Sequence, residues 1–322
     1  MKNKRILALV ICVIFTLFVF SGCVKLDNKK EIRAMFIPKA MDSSFWKITI
    51  AGYNTALSEY NVKGLVSAPT NEEDYDTQVK LIEKAIEEKY DIIIVSSIHF
   101  EKPKEALERA IAQGIGVVII DSDVNSRKIK VRISTDNYQA GFKMGEQMAK
   151  DLGYRGDVGI LMFDENTKNG LDRMNGLLDA LKQYSTMRVV DKVYTKSNAI
   201  DAKASGLQLL RNNPQLDAVA TFNEFTTVGL GMAVEEYGKP IYAIGFDNNA
   251  TVVDYLERGI FDALIVQNQF SMGYLAVEYG VNLINGKIKK AVNLDTGINV
   301  ITTENMYNPD IQNILFPFIQ VE

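Results

Sequence analysis

The chain has 322 residues, of which 47% are hydrophobic and 24% charged, so its composition is globular and excludes a disordered or low-complexity chain. Lys and Arg number 36 against 40 Asp and Glu, a formal net charge of −4 that argues against a nucleic-acid partner. One histidine and two cysteines leave too few side chains for a zinc cluster or a disulfide framework. We therefore expect no metal, no cofactor and no catalytic residue.

The first thirty residues predict export. Lys2, Lys4 and Arg5 precede an apolar run at residues 6–20, which is shorter than a typical membrane-spanning helix. Small residues and Cys23 follow, in a pattern similar to a bacterial lipobox, in which the cysteine is lipidated. An uncleaved membrane anchor is the alternative. We expect residues 1–22 to be a signal peptide or membrane anchor and residues 23–31 a short tether, with the body on the extracytoplasmic side of the cell membrane.

Past the tether, short apolar runs alternate with segments of helical periodicity. Residues 91–97 and 116–121 are almost continuously apolar, which is typical of strands covered on both faces of a parallel sheet. The alternation restarts near Asn137 and predicts an α/β fold with two doubly wound parallel-sheet (Rossmann-like) lobes. The predicted strands are residues 32–37, 64–68, 91–97, 116–121, 158–163, 189–195, 218–222, 241–246 and 263–266. The predicted helices are residues 45–60, 75–88, 101–113, 138–152, 171–184, 200–212, 226–237, 250–258 and 271–284.

The ends of the predicted strands carry the polar residues that could bind a ligand. In parallel α/β sheets ligands bind beyond the carboxyl ends of the strands. Acids, amides, one arginine and aromatic rings gather there, a mixture that suits the hydroxyl groups and C–H faces of a sugar. Asp121 and Asp247 against Arg173 leave the set near neutral, which favours an uncharged ligand.

Each of these residues also has a purely structural interpretation. Phe45 and Trp46 could belong to the core of a helix, and Ser43 could be only a helix N-cap. Arg173 could lie on a surface, and Asn223 could be a loop residue chosen for local hydrogen bonds. Their joint placement at strand ends is the stronger argument for a binding site.

Seven motifs occur in a specific order along the body. They are Ser43-Ser44-Phe45-Trp46, Val117-Val118-Ile119-Ile120-Asp121, Ser134-Thr135-Asp136-Asn137 with Gly141, Arg173-Met174-Asn175-Gly176, Asn223-Glu224, Ile244-Gly245-Phe246-Asp247 and Val266-Gln267. By these motifs residues 32–303 resemble the type I periplasmic binding proteins of the ribose-, xylose- and galactose-binding kind. The resemblance implies the ligand-binding residues Ser43, Phe45, Trp46, Asp121, Arg173, Asn223, Asp247 and Gln267.

The resemblance also implies two lobes joined by a three-segment hinge near Asp136, Gln267 and Thr296. The N-terminal lobe would comprise residues 32–136 plus 268–296, and the C-terminal lobe residues 137–267 plus 297–322. The lobes would close around the ligand. Ser122 stands where the family often has an arginine, so the identity of the sugar does not carry over from the family.

Three functions are compatible with this pattern. The first is a membrane-tethered binding protein that delivers a pentose or hexose to an ABC permease. The second is a sugar sensor that signals through a membrane histidine kinase of a two-component system. The third is an exported carbohydrate-active enzyme with Asp121 and Asp247 as its carboxylate pair, but no nucleophile elbow, phosphate loop or metal cluster supports it.

Overall fold

The computed structural model describes residues 31–316, and these form two parallel-dominated sheets covered by helices. The strands are β1 (Ile32–Ile37), β2 (Val62–Val66), β3 (Ile92–Val95), β4 (Gly116–Ile120), β5 (Val131–Ser134), β6 (Gly156–Met162), β7 (Met187–Tyr194), β8 (Ala218–Thr221), β9 (Tyr242–Phe246), β10 (Ala263–Gln267), β11 (Val292–Asp295) and β12 (Ile298–Thr302). The helices are α1 (Ser44–Tyr60), α2 (Tyr75–Glu87), α3 (Lys104–Ala112), α4 (Asn137–Asp151), α5 (Lys168–Leu181), α6 (Ala199–Asn212), α7 (Glu224–Tyr237), α8 (Ala250–Glu257), α9 (Gln269–Ile284) and α10 (Pro309–Leu315). The predicted fold class is confirmed.

The two sheets have matching strand orders. The first runs β11-β5-β4-β3-β1-β2 and is parallel throughout. The second runs β12-β10-β9-β8-β6-β7, and only the β10–β12 pair is antiparallel. Helices α1, α2, α3 and α9 pack on the first sheet, and α4 to α8 on the second. We call each sheet with its helices the first lobe and the second lobe.

Alternate side chains of each strand fill two apolar layers. In β3, Ile92 and Ile94 belong to one buried cluster, while Ile93 and Val95 belong to the cluster on the opposite face. Successive residues of a strand point to opposite faces, so a strand covered on both faces must be apolar throughout. The continuous apolar runs of the sequence therefore mark the centres of the sheets.

The helix ends follow local sequence signals. Ser43 precedes α1 and accepts the Trp46 backbone N–H with its side chain, and Asn61 ends the same helix with a φ of 51°. Asn223 and Thr226 form a reciprocal capping box at the start of α7, which ends at Gly238 with a φ of 70°. The two N-caps fix the residues at which α1 and α7 begin, and therefore the residues that lie at the carboxyl ends of the preceding strands.

Four elements were not predicted from the sequence: β5, β11, β12 and α10. Both β11 and β12 are edge strands with partly exposed residues and lack a continuous apolar run. The chain passes from the first lobe to the second after β5, returns after β10, and crosses again between β11 and β12.

The predicted signal segment and Cys23 lie outside the described residues. Among residues 31–316, every helix is too short or too polar to cross a membrane.

Candidate functional site

A cavity lies where the carboxyl ends of strands from both lobes meet. All eight residues named as ligand-binding line it: Ser43, Phe45, Trp46, Asp121, Arg173, Asn223, Asp247 and Gln267. The first four come from the first lobe and the last four from the second. The structure thus brings together side chains that lie up to 224 positions apart in the chain.

Asp121 is the charged centre of the first-lobe wall. It follows β4 with a φ of 54° and accepts hydrogen bonds from Ser96 Oγ at 2.8 Å and Asn169 Nδ2 at 2.9 Å. Lys39 Nζ lies 3.3 Å from the Asp121 carboxylate. Burial opposes the charged form, but Lys39, Arg173 and the hydrogen bonds from Ser96 and Asn169 together hold the pKa of Asp121 below its usual value. Asp121 is therefore a fixed anion and a strong hydrogen-bond acceptor.

Arg173 is fully buried in α5 and has one nitrogen left for a ligand. Its Nε donates to Asn137 Oδ1 at 2.7 Å, and its Nη1 donates to the Phe222 carbonyl oxygen at 2.7 Å. The guanidinium lies over the Phe246 ring, 4.0 Å from the ring centre. Nη2 makes no hydrogen bond within the described part of the chain and lies 3.7 Å from Asp121 Oδ1. A buried donor in this state can donate to a ligand or to an ordered water molecule.

Asp247 occupies the equivalent position of the second lobe, after β9, with a φ of 68°. Its Oδ1 accepts from Gln267 Nε2 at 2.7 Å and its Oδ2 from the Glu224 backbone N–H at 3.2 Å. Burial raises the pKa of Asp247 to about 7, although Arg173 and Gln267 favour the charged form. Gln267 also accepts the Thr135 hydroxyl at 2.8 Å, which links the two lobes beside a chain crossing.

Aromatic rings supply the apolar part of the lining. Phe45 and Trp46 meet edge to face, with ring centres 4.8 Å apart, and the Trp46 Nε1 donates to Glu72 Oε1 at 2.8 Å. Phe163 and Phe225 line the cavity from the second lobe. Rings on both sides of a cavity can cover the C–H faces of a sugar ring.

Ser43 and Asn223 combine both interpretations considered for them. Each is a helix N-cap, since Ser43 accepts the Trp46 N–H and Asn223 accepts the Thr226 N–H. Each also lines the cavity, and Asn223 Nδ2 donates to Ser197 Oγ at 2.8 Å. The capping role fixes these side chains at the ligand-facing end of the helix.

Six further lining residues were missed from the sequence: Lys39, Glu72, Phe163, Asn169, Glu224 and Phe225. Phe163 directly follows β6, and Glu224 and Phe225 begin α7 shortly after β8. Their positions next to strand ends are a sequence signal that points to all three. Lys39 and Glu72 lie in loops and Asn169 in the first turn of α5, and no sequence pattern singles them out. Burial raises the pKa of Glu72, which faces Lys39 and Asp121.

The lining suits a polyhydroxylated ligand and offers no metal centre. Within residues 31–316, no group of three or more His, Cys, Asp or Glu side chains is arranged to hold a metal ion. The cavity combines carboxylate acceptors, guanidinium and amide donors, and aromatic faces. That combination can bind paired hydroxyl groups and stack on a ring.

Comparison with known proteins identifies the family. The family model described as periplasmic binding protein domain matches residues 34–288. The ribose import binding protein RbsB of Bacillus subtilis is 24% identical over 264 residues, covering 81% of this chain and 84% of the relative. The D-allose-binding periplasmic protein of Escherichia coli is 25% identical over 248 residues, covering 73% and 79%.

Solved structures agree with this assignment. A carbohydrate transporter solute-binding protein from Agrobacterium radiobacter, in complex with D-arabinose, is 27% identical with a TM-score of 0.85 and covers 89% of this chain and 99% of its own. The XylFII–LytSN complex contains a chain that is 27% identical with a TM-score of 0.79, covering 85% and 98%. This chain therefore belongs to the periplasmic binding protein family, as a type I sugar-binding member of the non-enzymatic solute-binding proteins of ABC transporters.

Proposed function

We propose that this protein closes around one neutral monosaccharide, a pentose or a hexose, between its two lobes. The observation that carries the proposal is the shared cavity, in which Arg173 Nη2 is a buried donor with no hydrogen-bond acceptor among residues 31–316. A sugar hydroxyl or ring oxygen would accept from it, and leaving such a donor unsatisfied costs about 1–3 kcal/mol. A bound sugar would therefore supply an acceptor for this donor.

The eight lining residues that were predicted from the sequence have distinct roles in this proposal. From the first lobe, Phe45 and Trp46 stack on the ring, while Ser43 and Asp121 bind hydroxyls. From the second lobe, the polar groups that complete the site are those of Arg173, Asn223, Asp247 and Gln267. The lobes comprise residues 32–136 plus 268–296 and residues 137–267 plus 297–322, and they rotate about the three chain crossings. A ligand that touches both lobes shifts the population toward the closed form.

The sugar is to be identified by a thermal-shift screen. The panel follows the relatives' names and ligands: ribose, allose, apiose, xylose, arabinose and fucose, with xylitol as an open-chain polyol. A thousandfold excess over Kd stabilises the folded state by about 4 kcal/mol. We expect one or a few sugars to raise the melting temperature. A panel of pentoses, hexoses and polyols without any shift would contradict the proposal.

Asp121→Asn tests the site itself. The substitution keeps the side chain's shape but removes the anion that compensates Lys39 and Arg173, and it weakens the acceptor offered to a hydroxyl. We expect sugar affinity measured by calorimetry to fall at least tenfold, about 1.4 kcal/mol. Asp254→Asn, at an exposed position of α8, is the matched control and should bind like the wild type. Equal affinity in both variants would remove Asp121 from the site.

Delivery to an ABC permease is the proposed biological role. The Bacillus subtilis relative is an import binding protein, and the family's solved structures include transporter solute-binding proteins. In this role the body stays on the extracytoplasmic side of the cell membrane, held by lipidated Cys23 or by a retained N-terminal helix. Purified permease and ATPase in vesicles should then take up the sugar only when this protein is present.

A second role is favoured by one finding. A chain similar to this protein occurs in the XylFII–LytSN complex, so this fold is compatible with binding to a protein partner, and signalling to a membrane histidine kinase is our second proposal. The genes beside this one separate the roles. Permease and ATPase genes support transport, whereas genes for a sensor kinase and a response regulator support signalling.

A further inference from the structure

Glu224 lines the cavity and also connects the two lobes through backbone groups of the first lobe. It is the first residue of α7 in the second lobe, yet its carboxylate accepts backbone N–H groups of the first lobe. Oε1 accepts from Ser44 at 3.1 Å and Oε2 from Phe45 at 2.9 Å. Asn249, the N-cap of α8, donates its Nδ2 to Oε1 at 2.8 Å and holds the side chain in place.

The helix that receives this carboxylate has no acid at its N-terminal end. Helix α1 has 17 residues and no acidic residue in its first turn. The first N–H groups of a helix have no partner within the helix, and its N-terminus carries a partial positive charge. Ser43 satisfies the Trp46 N–H, and Glu224 satisfies the two that precede it. The capping of α1 is complete only with a residue of the opposite lobe.

Opening of the cleft would break these bonds together. Four other hydrogen bonds join the lobes there: Lys39 Nζ to Asn169 Oδ1, Asn169 Nδ2 to Asp121 Oδ1, Ser197 Oγ to Glu72 Oε2, and the Phe100 N–H to the Asn166 carbonyl oxygen. Among these, the Glu224 contact is the one that places a carboxylate on the N-terminus of a helix. Glu224 is 6% exposed in the closed form, so water does not compete for its carboxylate there.

We infer that Glu224 is a positioning residue for lobe closure: its carboxylate caps α1 across the cleft and stabilises a closed form without any ligand. Capping also fixes the backbone of Phe45, whose ring lines the cavity. A closed form that is already populated lowers the conformational cost that a ligand must meet. Loss of the cap therefore lowers the closed population and weakens sugar binding indirectly.

The single tryptophan reports on this equilibrium without labels. Trp46 is the only tryptophan of the chain and is 1% exposed, two residues after Ser44. Acrylamide quenching of Trp46 in the ligand-free full-length protein therefore measures opening. We expect Glu224→Gln, which loses the charge and one acceptor oxygen, to raise the quenching constant by about twofold or more and to shift emission to the red. Glu235→Gln, an exposed residue on the same helix, should leave both unchanged.

A second variant, in the first lobe, removes the donor of the hydrogen bond from the Ser44 N–H to Glu224. Ser44→Pro removes one donated N–H at the first position of α1, where proline is compatible with a helix, and Ser43 already has the extended backbone that precedes proline. We expect Ser44→Pro to raise quenching in the same direction, and the double variant with Glu224→Gln to add little. Wild-type quenching in both single variants, or fully additive effects, would overturn the inference. Because no sugar is used, these results stand whether or not the proposed ligand is correct.

Discussion

Asp121 and Asp247 show how neighbours decide the chemistry of identical residues at equivalent positions. Each follows a strand of its lobe in the left-handed region of φ, which aspartate tolerates better than most residues and which is often found at functional sites. Asp121 faces two cations, Lys39 and Arg173, and its pKa is lowered. Asp247 shares Arg173 and faces Glu224, so burial prevails and its pKa is raised. The site therefore holds one fixed anion and one group that titrates near neutrality.

The titration of Asp247 predicts a pH-dependent stability of the ligand-free protein. Its pKa rises from 3.8 to about 7 on folding, so the folded protein holds this proton more tightly than the unfolded chain. The resulting stabilisation is complete below pH 3.8 and is lost as the pH rises through 7. Arg173, Glu224 and Asp121 are the charged groups that act on it.

Urea unfolding at pH 5 and at pH 8 measures this effect. We expect the wild type to lose more than about 1 kcal/mol of unfolding free energy over that range relative to Asp247→Asn, since one pKa unit corresponds to ~1.4 kcal/mol. Asp254→Asn should retain the wild-type pH dependence. Parallel pH profiles of the wild type and Asp247→Asn would show that Asp247 is ionised throughout.

At the scale of elements, glycines let helices approach closely behind the site. In the first lobe a Cβ on Gly273 of α9 would lie 1.9 Å from the Thr49 carbonyl oxygen of α1. In the second lobe a Cβ on Gly141 of α4 would lie 1.8 Å from the carbonyl oxygen of Arg173 in α5. Both contacts are with backbone, which cannot rotate away. The helices that carry Trp46 and Arg173 are thus held by glycine contacts outside the cavity.

Gly141→Ala is expected to weaken sugar binding without touching the cavity. The added methyl group would push α5 and move Arg173 from its two hydrogen bonds to Asn137 and Phe222. Overpacking of this kind costs about 1–3 kcal/mol, measured by thermal or urea unfolding, and calorimetry should show weaker binding. Lys143→Ala, on the exposed side of α4, is the control. Wild-type affinity in Gly141→Ala would mean that Arg173 keeps its position or does not contact the ligand.

At the scale of the whole molecule, the three chain crossings allow two rigid lobes to share one cavity. All three lie beside the sheet edges formed by β5, β10, β11 and β12, and Thr135 and Gln267 are hydrogen bonded there. The contacts made by Glu224, Lys39 and Glu72 lie at the rims of the cavity. Rotation about the crossings would separate these rim contacts while leaving each sheet intact.

The N-terminal segment gives a prediction that concerns the whole protein in the cell. Cys23 lies outside the described residues, and its proposed lipidation is tested by Cys23→Ser. We expect this variant to leave the detergent-soluble membrane fraction or to accumulate unprocessed, with Cys12→Ser as the control that behaves like the wild type. A Cys23→Ser protein with unchanged mass and membrane fractionation would favour the uncleaved anchor.

Local patterns along the chain were sufficient for the alternation of strands and helices and for the polar groups at the strand ends, from which the family resemblance selected the eight residues that line the cavity. The strands of the sheet centres are continuous apolar runs, and their ends can be located without knowledge of the partners. Edge strands are different. β11 and β12 exist because β5 and β10 offer free edges, and β12 runs antiparallel to its neighbour, which no local pattern reveals.

Tertiary structure alone decided which loop residues join the site and how they are charged. Lys39 and Glu72 enter the cavity from loops of the first lobe and Asn169 from the start of α5 in the second, and their side-chain directions depend on contacts distant in sequence. The pairing of Glu224 with α1 spans 180 positions. Residue type and periodicity are local properties and can be read from the chain, whereas burial and charge compensation are sums over neighbours that only folding brings together.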